Sequence, residues 1–310
     1  MKIVIVGAGA MGCLYGAKLS LASSNEVYLL DVWQEHVDAI NKNGLVLEEQ
    51  GNDVVYKNVK AISDAKEAGV CDLAIIFVKS AFTSAAVKNN REVFGPDTVA
   101  LTLQNGLGNV ELICDVIGSA NVIAGTTACG ATMLGPGKVR FAGRGKTIIG
   151  EIDGKESTRT LAISEALQNA EFETEISLNV MGLIWDKLLI NVGINALTGI
   201  TKLYNGELLD FPEIDELLEE AVKEAMAVAK AKGIALKTED PVENTRQVCR
   251  NTAKNKSSML QDVLNGKLTE IQMINGAIVR EGKALGIATP VNMVLTNLIT
   301  FIQSNQQQKS

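Results

Sequence analysis

Residues 2–12, KIVIVGAGAMG, decide the fold. Lys2 to Val6 is a short continuous apolar run of the kind a buried parallel strand presents. Gly7, Gly9 and Gly12 follow at G-x-G-x-x-G spacing, with Ala10 and Met11 inside the motif, and lead into a helical stretch, LYGAKLSLA. Glu26 to Asp31, EVYLLD, reads as a second strand that ends in a carboxylate, about 20 residues beyond the glycines as a dinucleotide-binding βαβ unit requires. The first glycine permits the tight turn, the second lets backbone approach a pyrophosphate, and the third lets helix and strand pack closely. The helix N-terminus then offers free N–H groups to the phosphates. A lone glycine pattern is weak and a structural turn is its alternative; strand, helix, second strand and acid in order make it specific.

Outward from this unit, Gln34 to Asn43 reads as a helix stopped by Gly44, and LVLEE and DVVY as an inserted hairpin with Gly51-Asn52 between them. CDLAIIFVK and TVALTL are further buried strands, ending in Lys79-Ser80 and in QNGLGN, which contains Asn105. Ligands of open α/β sheets lie at such C-terminal strand ends. NVIAG and KTIIG read as strands flanking a β-ribbon, KVRFAGRGK; a helix from Ser157 to Asn169 and a short strand, FETEI, follow. From Ser177 onward the pattern is helical: Ile214 to Lys232, a helix capped by Asp240-Pro241, Thr269 to Leu285, and a last helix from Thr289-Pro290 with a frayed polar tail, SNQQQKS. The expectation is a Rossmann-type doubly wound α/β domain over 1–177, an all-helical domain over 178–310, and a site in the cleft between them.

The composition narrows the function. A net charge of -7 and a pI near 5.0 argue against nucleic acid or an anionic membrane as partner. No run of about 18 apolar residues suggests a membrane span, and the N-terminal apolar run is too short for a secretory signal, so a cytoplasmic protein is expected. The five cysteines are scattered without a CxxC, as in a reducing compartment. His36 is the only histidine. One histidine cannot make an HExxH zinc site, and no Ser-His-Asp triad or histidine-based hydride-transfer acid can be assembled unless His36 itself serves; no metal is expected, and its place in QEHVDAINKNG reads as a solvated or half-packed surface position.

The remaining chemistry concentrates in Trp185 to Asn195, WDKLLINVGIN. Lys187, Asn191 and Asn195 recur every four residues, which aligns them about 6 Å apart on one helix face. The intervening residues are apolar, so the helix is expected to be buried, and polar groups there need a partner.

Together, GAGAMG, the VKS at Lys79, QNGLGN, WDKLLINVGIN, the NGEL at Asn205, the NKSSML around Ser258 and the KLTEIQMING around Glu270 resemble the ketopantoate reductases (2-dehydropantoate 2-reductases) over nearly the whole chain. The resemblance implies reduction of a 2-oxo acid to an (R)-2-hydroxy acid with a nicotinamide cofactor. It implies that Lys187 is the catalytic lysine, with Asn105 and Glu270 beside the chemistry. Gly7, Gly9, Ala10, Met11, Gly12, Asp31, Lys79 and Asn105 fall on the cofactor side. Asn191, Asn195, Asn205, Asn255, Ser258 and Glu270 fall on the substrate side. The chemistry is coherent, because hydride arriving at a carbonyl builds charge on its oxygen and a positioned acid must protonate it.

Each residue also has a structural alternative. Lys187 pairs with Asp186 or Glu270; Asn191 and Asn195 bridge helices; Lys79 is solvated; Asn105-Gly106 and Asn205-Gly206 are turns. Ser258 caps a helix, and Glu270 is a first-turn acid favoured by the helix dipole.

Asp31, followed by no Lys or Arg before Lys42, favours NAD(H) over NADP(H), since a carboxylate accepts from ribose hydroxyls and repels a 2′-phosphate. The chain therefore also resembles the NAD-using D-2-hydroxyacid dehydrogenase branch, acting on branched-chain or aromatic 2-oxo acids. A nicotinamide-binding sensor without catalysis is the alternative of another class. The expected partner is a small 2-oxo acid, and a homodimer through the helical domain is the self-association to consider.

Overall fold

The computed structural model describes residues 1–308. The chain divides into two compact units, one of Met1–Gln104 with Asn109–Val180, the other of Asn105–Gly108 with the chain from Met181 onward.

The first unit contains β1 (Lys2–Val6), α1 (Ala10–Leu19), β2 (Glu26–Leu30), α2 (Gln34–Asn43), β3 (Leu45–Glu49), β4 (Asn52–Tyr56), β5 (Val59–Ile62), β6 (Leu73–Ile76), α3 (Thr83–Asn89), β7 (Val99–Thr102), α4 (Asn109–Ile117), β8 (Val122–Thr127), β9 (Gly130–Gly135), β10 (Lys138–Gly143), β11 (Thr147–Glu151), α5 (Thr158–Asn169) and β12 (Thr174–Ile176). Eight strands form one sheet in the order β12-β11-β8-β7-β6-β1-β2-β5. All its neighbours are parallel except β8 and β11. The chain order reverses at β1, which lies between β2 and β6. The ends of these three strands bring Gly7, Asp31 and the Val78-Lys79 segment to one edge, the switch point where such sheets bind ligands.

The hairpin β3–β4 is more than an insertion. It joins β10 and β9 in a second sheet, order β4-β3-β10-β9, and its turn falls at Gln50-Gly51, both at positive φ, so Asn52 already belongs to β4. Helix α1 packs against this sheet and against β1 and β2. With a sheet on each side, every residue of α1 from Gly12 to Leu19 is buried. Lys18, 4% exposed, survives there because its Nζ meets Glu49 Oε1 at 2.6 Å and Glu171 Oε2 at 2.9 Å. Tyr15 stacks on Phe172 with centroids 4.1 Å apart, and its hydroxyl bonds Thr127 and Thr147. A buried aromatic with a polar tip thus has its partner.

Burial between these layers overturns the reading of His36 as a surface residue. It is fully buried, because the β9–β10 turn lies over the start of α2 and Gly137 N–H donates to His36 Nδ1 at 2.9 Å.

The second unit is built on α6 (Val180–Thr201), α7 (Pro212–Ala231), α8 (Pro241–Asn251), α9 (Ser258–Leu264), α10 (Asn275–Leu285) and α11 (Pro290–Gln307). Helix α6 is long and apolar enough to cross a membrane by length and composition, but 67% of that window is buried inside the protein. Trp185, Leu188, Leu189, Val192 and Ala196 are each at most 2% exposed and form the centre of this unit.

Two expectations are corrected here. The predicted helix from Thr269 is interrupted: a 3-10 turn, Ile271–Met273, precedes α10, and Ile274 between them has φ -107 and ψ -99. The Met273 carbonyl accepts from Leu107 N–H at 2.8 Å and is therefore diverted from the helix ladder. The C-terminal tail is helical through Gln307, with Gln306 Nε2 donating to the Val263 carbonyl at 2.9 Å. Lys309 and Ser310 of that tail lie outside the described residues.

Asn275, fully buried at the start of α10, donates to the Val192 carbonyl at 3.1 Å and to Asn292 Oδ1 at 3.0 Å, joining α10 to α6 and α11. Asn275→Ala is expected to lower the stability of this unit by about 1–3 kcal/mol, the cost of orphaning buried polar groups. A melting temperature within a degree of wild type, followed by circular dichroism, would show that the pair contributes nothing.

Candidate active site

The nucleotide side begins at the end of β1. Gly7 takes φ +98, a conformation that favours glycine, and a Cβ there would lie 2.6 Å from the Val78 backbone nitrogen. At Gly12 a Cβ would lie 2.0 Å from the Gly7 carbonyl oxygen, so only glycine lets α1 start this close to the turn. Gly9 is different: a Cβ there would meet nothing within 4 Å. Gly9 is also the N-cap of α1, and no side chain caps the helix. Its first N–H groups, at Ala10 and Met11, are left without a side-chain acceptor, which is the arrangement that receives an anion.

Asp31 follows β2 directly. Its Oδ2 accepts from Ala8 N–H at 2.7 Å and its Oδ1 from Trp33 N–H at 3.0 Å. Each carboxylate oxygen has a second lone pair, so hydroxyl donors remain acceptable. Val32 is 96% exposed and Trp33 39%. Burial pulls the His36 pKa below its ordinary value, so its imidazole brings no positive charge beside Asp31. These residues fit the adenosine diphosphate half of a dinucleotide: an uncapped helix end for phosphates and a carboxylate for ribose.

The half-buried Lys79 precedes a 3-10 turn at the end of β6. Beside it lies a polar network that sequence reasoning passed over. Gln104 Nε2 donates to the Val78 carbonyl at 2.7 Å and to Thr83 Oγ1 at 2.9 Å. Asn109 accepts from Thr83 Oγ1 at 3.0 Å and donates to Ser80 Oγ at 3.2 Å. Gln104 and Asn109 flank Asn105 in QNGLGN, so the signal was the motif's own polar ends.

In the second unit, α6 carries Lys187, Asn191 and Asn195 on one stripe, with Lys187 and Asn191 half-buried and Asn195 buried. The opposite side of α6 is apolar. Leu197 and Ile200 line a cavity of about 300 Å³ with Leu217 of α7 and Val291, Val294 and Leu298 of α11. Both carboxylate oxygens of Asp186 accept backbone N–H groups, from Lys237 and Thr238.

Several predicted residues come together around this helix. Asn205 N–H donates to the Asn255 carbonyl at 3.0 Å, and Asn205 Nδ2 donates to Thr252 Oγ1 at 2.9 Å. Asn205 is 8% exposed, and among the described residues its Oδ1, like Asn275 Oδ1 and Gln306 Oε1, is buried with no partner. Asn205-Gly206 is thus more than a turn. Asn255 itself is exposed. Ser258 is not the helix cap: Ser257 accepts from Leu260 N–H at 3.0 Å and bonds Thr198 of α6 at 2.7 Å, leaving Ser258 exposed at the first position of α9. Glu270 is half-buried before the 3-10 turn, so the first-turn reading fails with the shortened helix. Asn105 belongs to this unit too, since Leu107 of its tetrapeptide bonds the 3-10 turn that Glu270 opens.

The family described as ketopantoate reductase PanE/ApbA matches residues 3–154, and its C-terminal counterpart, ketopantoate reductase PanE/ApbA C terminal, matches residues 179–303. The chain belongs to the ketopantoate reductase family. It is therefore an oxidoreductase by family. It is 34% identical over 304 residues to a 2-dehydropantoate 2-reductase of Halobacterium salinarum, covering 98% of this chain and 99% of that one. A crystal structure of a PanE/ApbA family ketopantoate reductase from Ralstonia eutropha JMP134 superposes with a TM-score of 0.91 at 35% identity, covering 99% of this chain and all of that one. D-mandelate dehydrogenase in its ternary structure with NADH and anilino(oxo)acetate superposes with a TM-score of 0.92 at 30% identity, covering 99% of both chains. The neighbours thus include both substrate branches that the ketopantoate reductase resemblance raised.

Gly12→Ala places a methyl group against the Gly7 carbonyl and is expected to weaken dinucleotide binding by at least about tenfold. Calorimetric titration with NADH and NADPH checks this, and affinity within twofold of wild type would contradict the close approach.

Proposed function

We propose that the protein reduces a hydroxylated 2-oxo acid of the 2-dehydropantoate type to the (R)-2-hydroxy acid, with NADH as the preferred donor. The observation that carries the choice of substrate is the Oδ1 of Asn205, which has no partner among the described residues and which, unlike the similarly unpartnered oxygens of Asn275 and Gln306, sits on a residue that the family resemblance puts on the substrate side. A buried acceptor without a donor is costly, and a substrate hydroxyl would satisfy it. A branched-chain or aromatic 2-oxo acid carries no hydroxyl to offer. The family membership and the polar stripe of α6 support the reaction class.

The nicotinamide supplies hydride when bound. The chain's own residues do the rest. Lys187 is the general acid: its ammonium stabilises the alkoxide forming at the former carbonyl oxygen and delivers the proton there. The only histidine is buried and already hydrogen-bonded, which leaves lysine as the natural donor. Asn191 and Asn195 extend the stripe as donors and acceptors. Ser258 donates to the substrate carboxylate, Glu270 accepts from a substrate hydroxyl, Asn255 lines the same side, and Asn105 orients the reacting groups. Gly7, Gly9, Ala10, Met11 and Gly12 cradle the pyrophosphate, and Lys79 lies on the cofactor side. Asp31 accepts from the ribose hydroxyls, and its charge disfavours a 2′-phosphate. One NADH, one proton and one 2-oxo acid yield NAD⁺ and the hydroxy acid. The residue range 1–177 is assigned to the cofactor and 178–310 to the substrate, in a protein of the cytoplasm.

With NADH, turnover of ketopantoate is expected to exceed that of 2-oxoisocaproate by at least about tenfold in kcat/KM, as a site built to bind a hydroxyl requires. The reverse order would assign the chain to the D-2-hydroxyacid dehydrogenase branch, and no turnover of either would leave a non-catalytic sensor. Lys187→Ala is expected to reduce kcat by about 10²–10⁴-fold with NADH affinity retained; full activity would remove Lys187 as the acid. Asp31→Asn keeps the acceptor for Ala8 N–H but removes the charge. Its ratio of NADH to NADPH kcat/KM is expected to fall toward one, and an unchanged ratio would reject the role given to Asp31.

A further inference from the structure

Ala8 stands between the first two glycines of the loop, and side chains take both of its backbone groups. Its N–H donates to Asp31 Oδ2 at 2.7 Å, and its carbonyl accepts from the Cys13 thiol at 3.1 Å. Cys13 Sγ lies 3.3 Å from His36 Nε2, and His36 Nδ1 accepts from Gly137 N–H at 2.9 Å. A ring nitrogen that accepts carries no proton, so the neutral imidazole holds its hydrogen on Nε2, directed at the Cys13 sulfur. The hydrogen bonds then run one way, from Gly137 through His36 and Cys13 to Ala8.

The His36 ring also stacks on Trp33, with centroids 5.0 Å apart and planes 10° apart. Trp33 N–H returns to Asp31 Oδ1 at 3.0 Å. The contacts close a ring: Ala8, Cys13, His36, Trp33, Asp31 and back to Ala8. His36 and Cys13 are both fully buried, so a broken link orphans a polar group out of reach of solvent. Burial disfavours imidazolium and thiolate alike, which keeps both groups in the neutral forms the relay uses. Trp33 is the member that reaches the surface, 39% exposed, one residue beyond the exposed Val32.

We propose that His36 and Cys13 are positioning residues for the adenosine half of the cofactor. They fix the Ala8 carbonyl and the Asp31 carboxylate, and they hold the Trp33 ring beside Asp31 as a stacking platform for the purine. The purine and the hydroxyls that Asp31 would accept belong to one nucleoside, so a ring anchored to the Asp31 carboxylate is placed to meet it. A flat aromatic held by a parallel stack loses little freedom when a base lands on it. The mechanism has no other use for the only histidine. The proposal rests on the dinucleotide reading of this unit.

The test is calorimetric titration of NADH into wild type, His36→Ala and His36→Gln, with steady-state kinetics on ketopantoate. His36→Ala is expected to raise the NADH Kd and KM by about tenfold while leaving kcat and the KM for the 2-oxo acid near wild type. His36→Gln, whose amide can donate toward Cys13, is expected to recover part of that loss. An NADH Kd within twofold of wild type in folded His36→Ala overturns the relay, as does a loss of kcat without a change in NADH affinity. Should His36→Ala fail to fold, Trp33 decides, because it lies at the surface. Trp33→Ala is expected to weaken NADH binding and Trp33→Phe to restore it; unchanged affinity in Trp33→Ala overturns the platform. A wild-type protein that binds neither NADH nor NADPH overturns the cofactor reading itself, and the relay with it.

Discussion

Helix α1 is held between two sheets, and the first unit depends on that confinement. The helix can begin beside β1 only because Gly12 brings no side chain against the Gly7 carbonyl. That approach aims the uncapped helix end past Gly9. The same confinement takes Lys18 out of water, where two carboxylates meet its charge. A buried charge left unpaired would be strongly destabilising. The second sheet also brings the β9–β10 turn over α2 and removes His36 from solvent. The uncapped helix end, the buried paired lysine and the buried histidine are thus consequences of one packing arrangement.

In the second unit the organising element is α6, whose two sides serve opposite purposes. One is apolar and borders a cavity shared with α7 and α11. The other carries the lysine and two asparagines. Asn275 fastens α10 to the α6 backbone at Val192, next to Asn191, and Ser257 fastens α9 to Thr198. Elements from distant parts of the sequence, α9 and α10, are therefore tied to one helix by hydrogen bonds that are themselves buried. Polar groups in such surroundings are strongly oriented when satisfied and costly when not. This gives weight to the oxygens left unpaired among the described residues, Asn205 Oδ1, Asn275 Oδ1 and Gln306 Oε1.

Much of this was legible in the residues. The glycine spacing, Asp31, the alternation of short apolar runs with helices, and the change to helical periodicity all rest on local rules of turn geometry and side-chain period. The four-residue recurrence of Lys187, Asn191 and Asn195 is likewise local. Less legible were features that depend on what lies across from a residue. The hairpin at β3–β4 was visible, but its pairing with β10 was not, since strand partners are chosen by contacts far apart in sequence. His36 looked solvated because its own helix is polar. The interruption at Ile274 was hidden because the carbonyl of Met273 is claimed by Leu107, far away in the chain.

The sequence by itself determined the kind of chemistry: a dinucleotide loop with a carboxylate partner, one histidine and a lysine–asparagine stripe, all set by residue identity and short-range spacing. Only the tertiary structure decided which polar groups are spoken for. Asp31 is shared with two backbone N–H groups, Ser257 rather than Ser258 caps α9, and Asn205 Oδ1 is buried with no partner among the described residues. The physical reason is that hydrogen-bond satisfaction and burial are properties of the packed neighbourhood, which spacing along the chain does not encode.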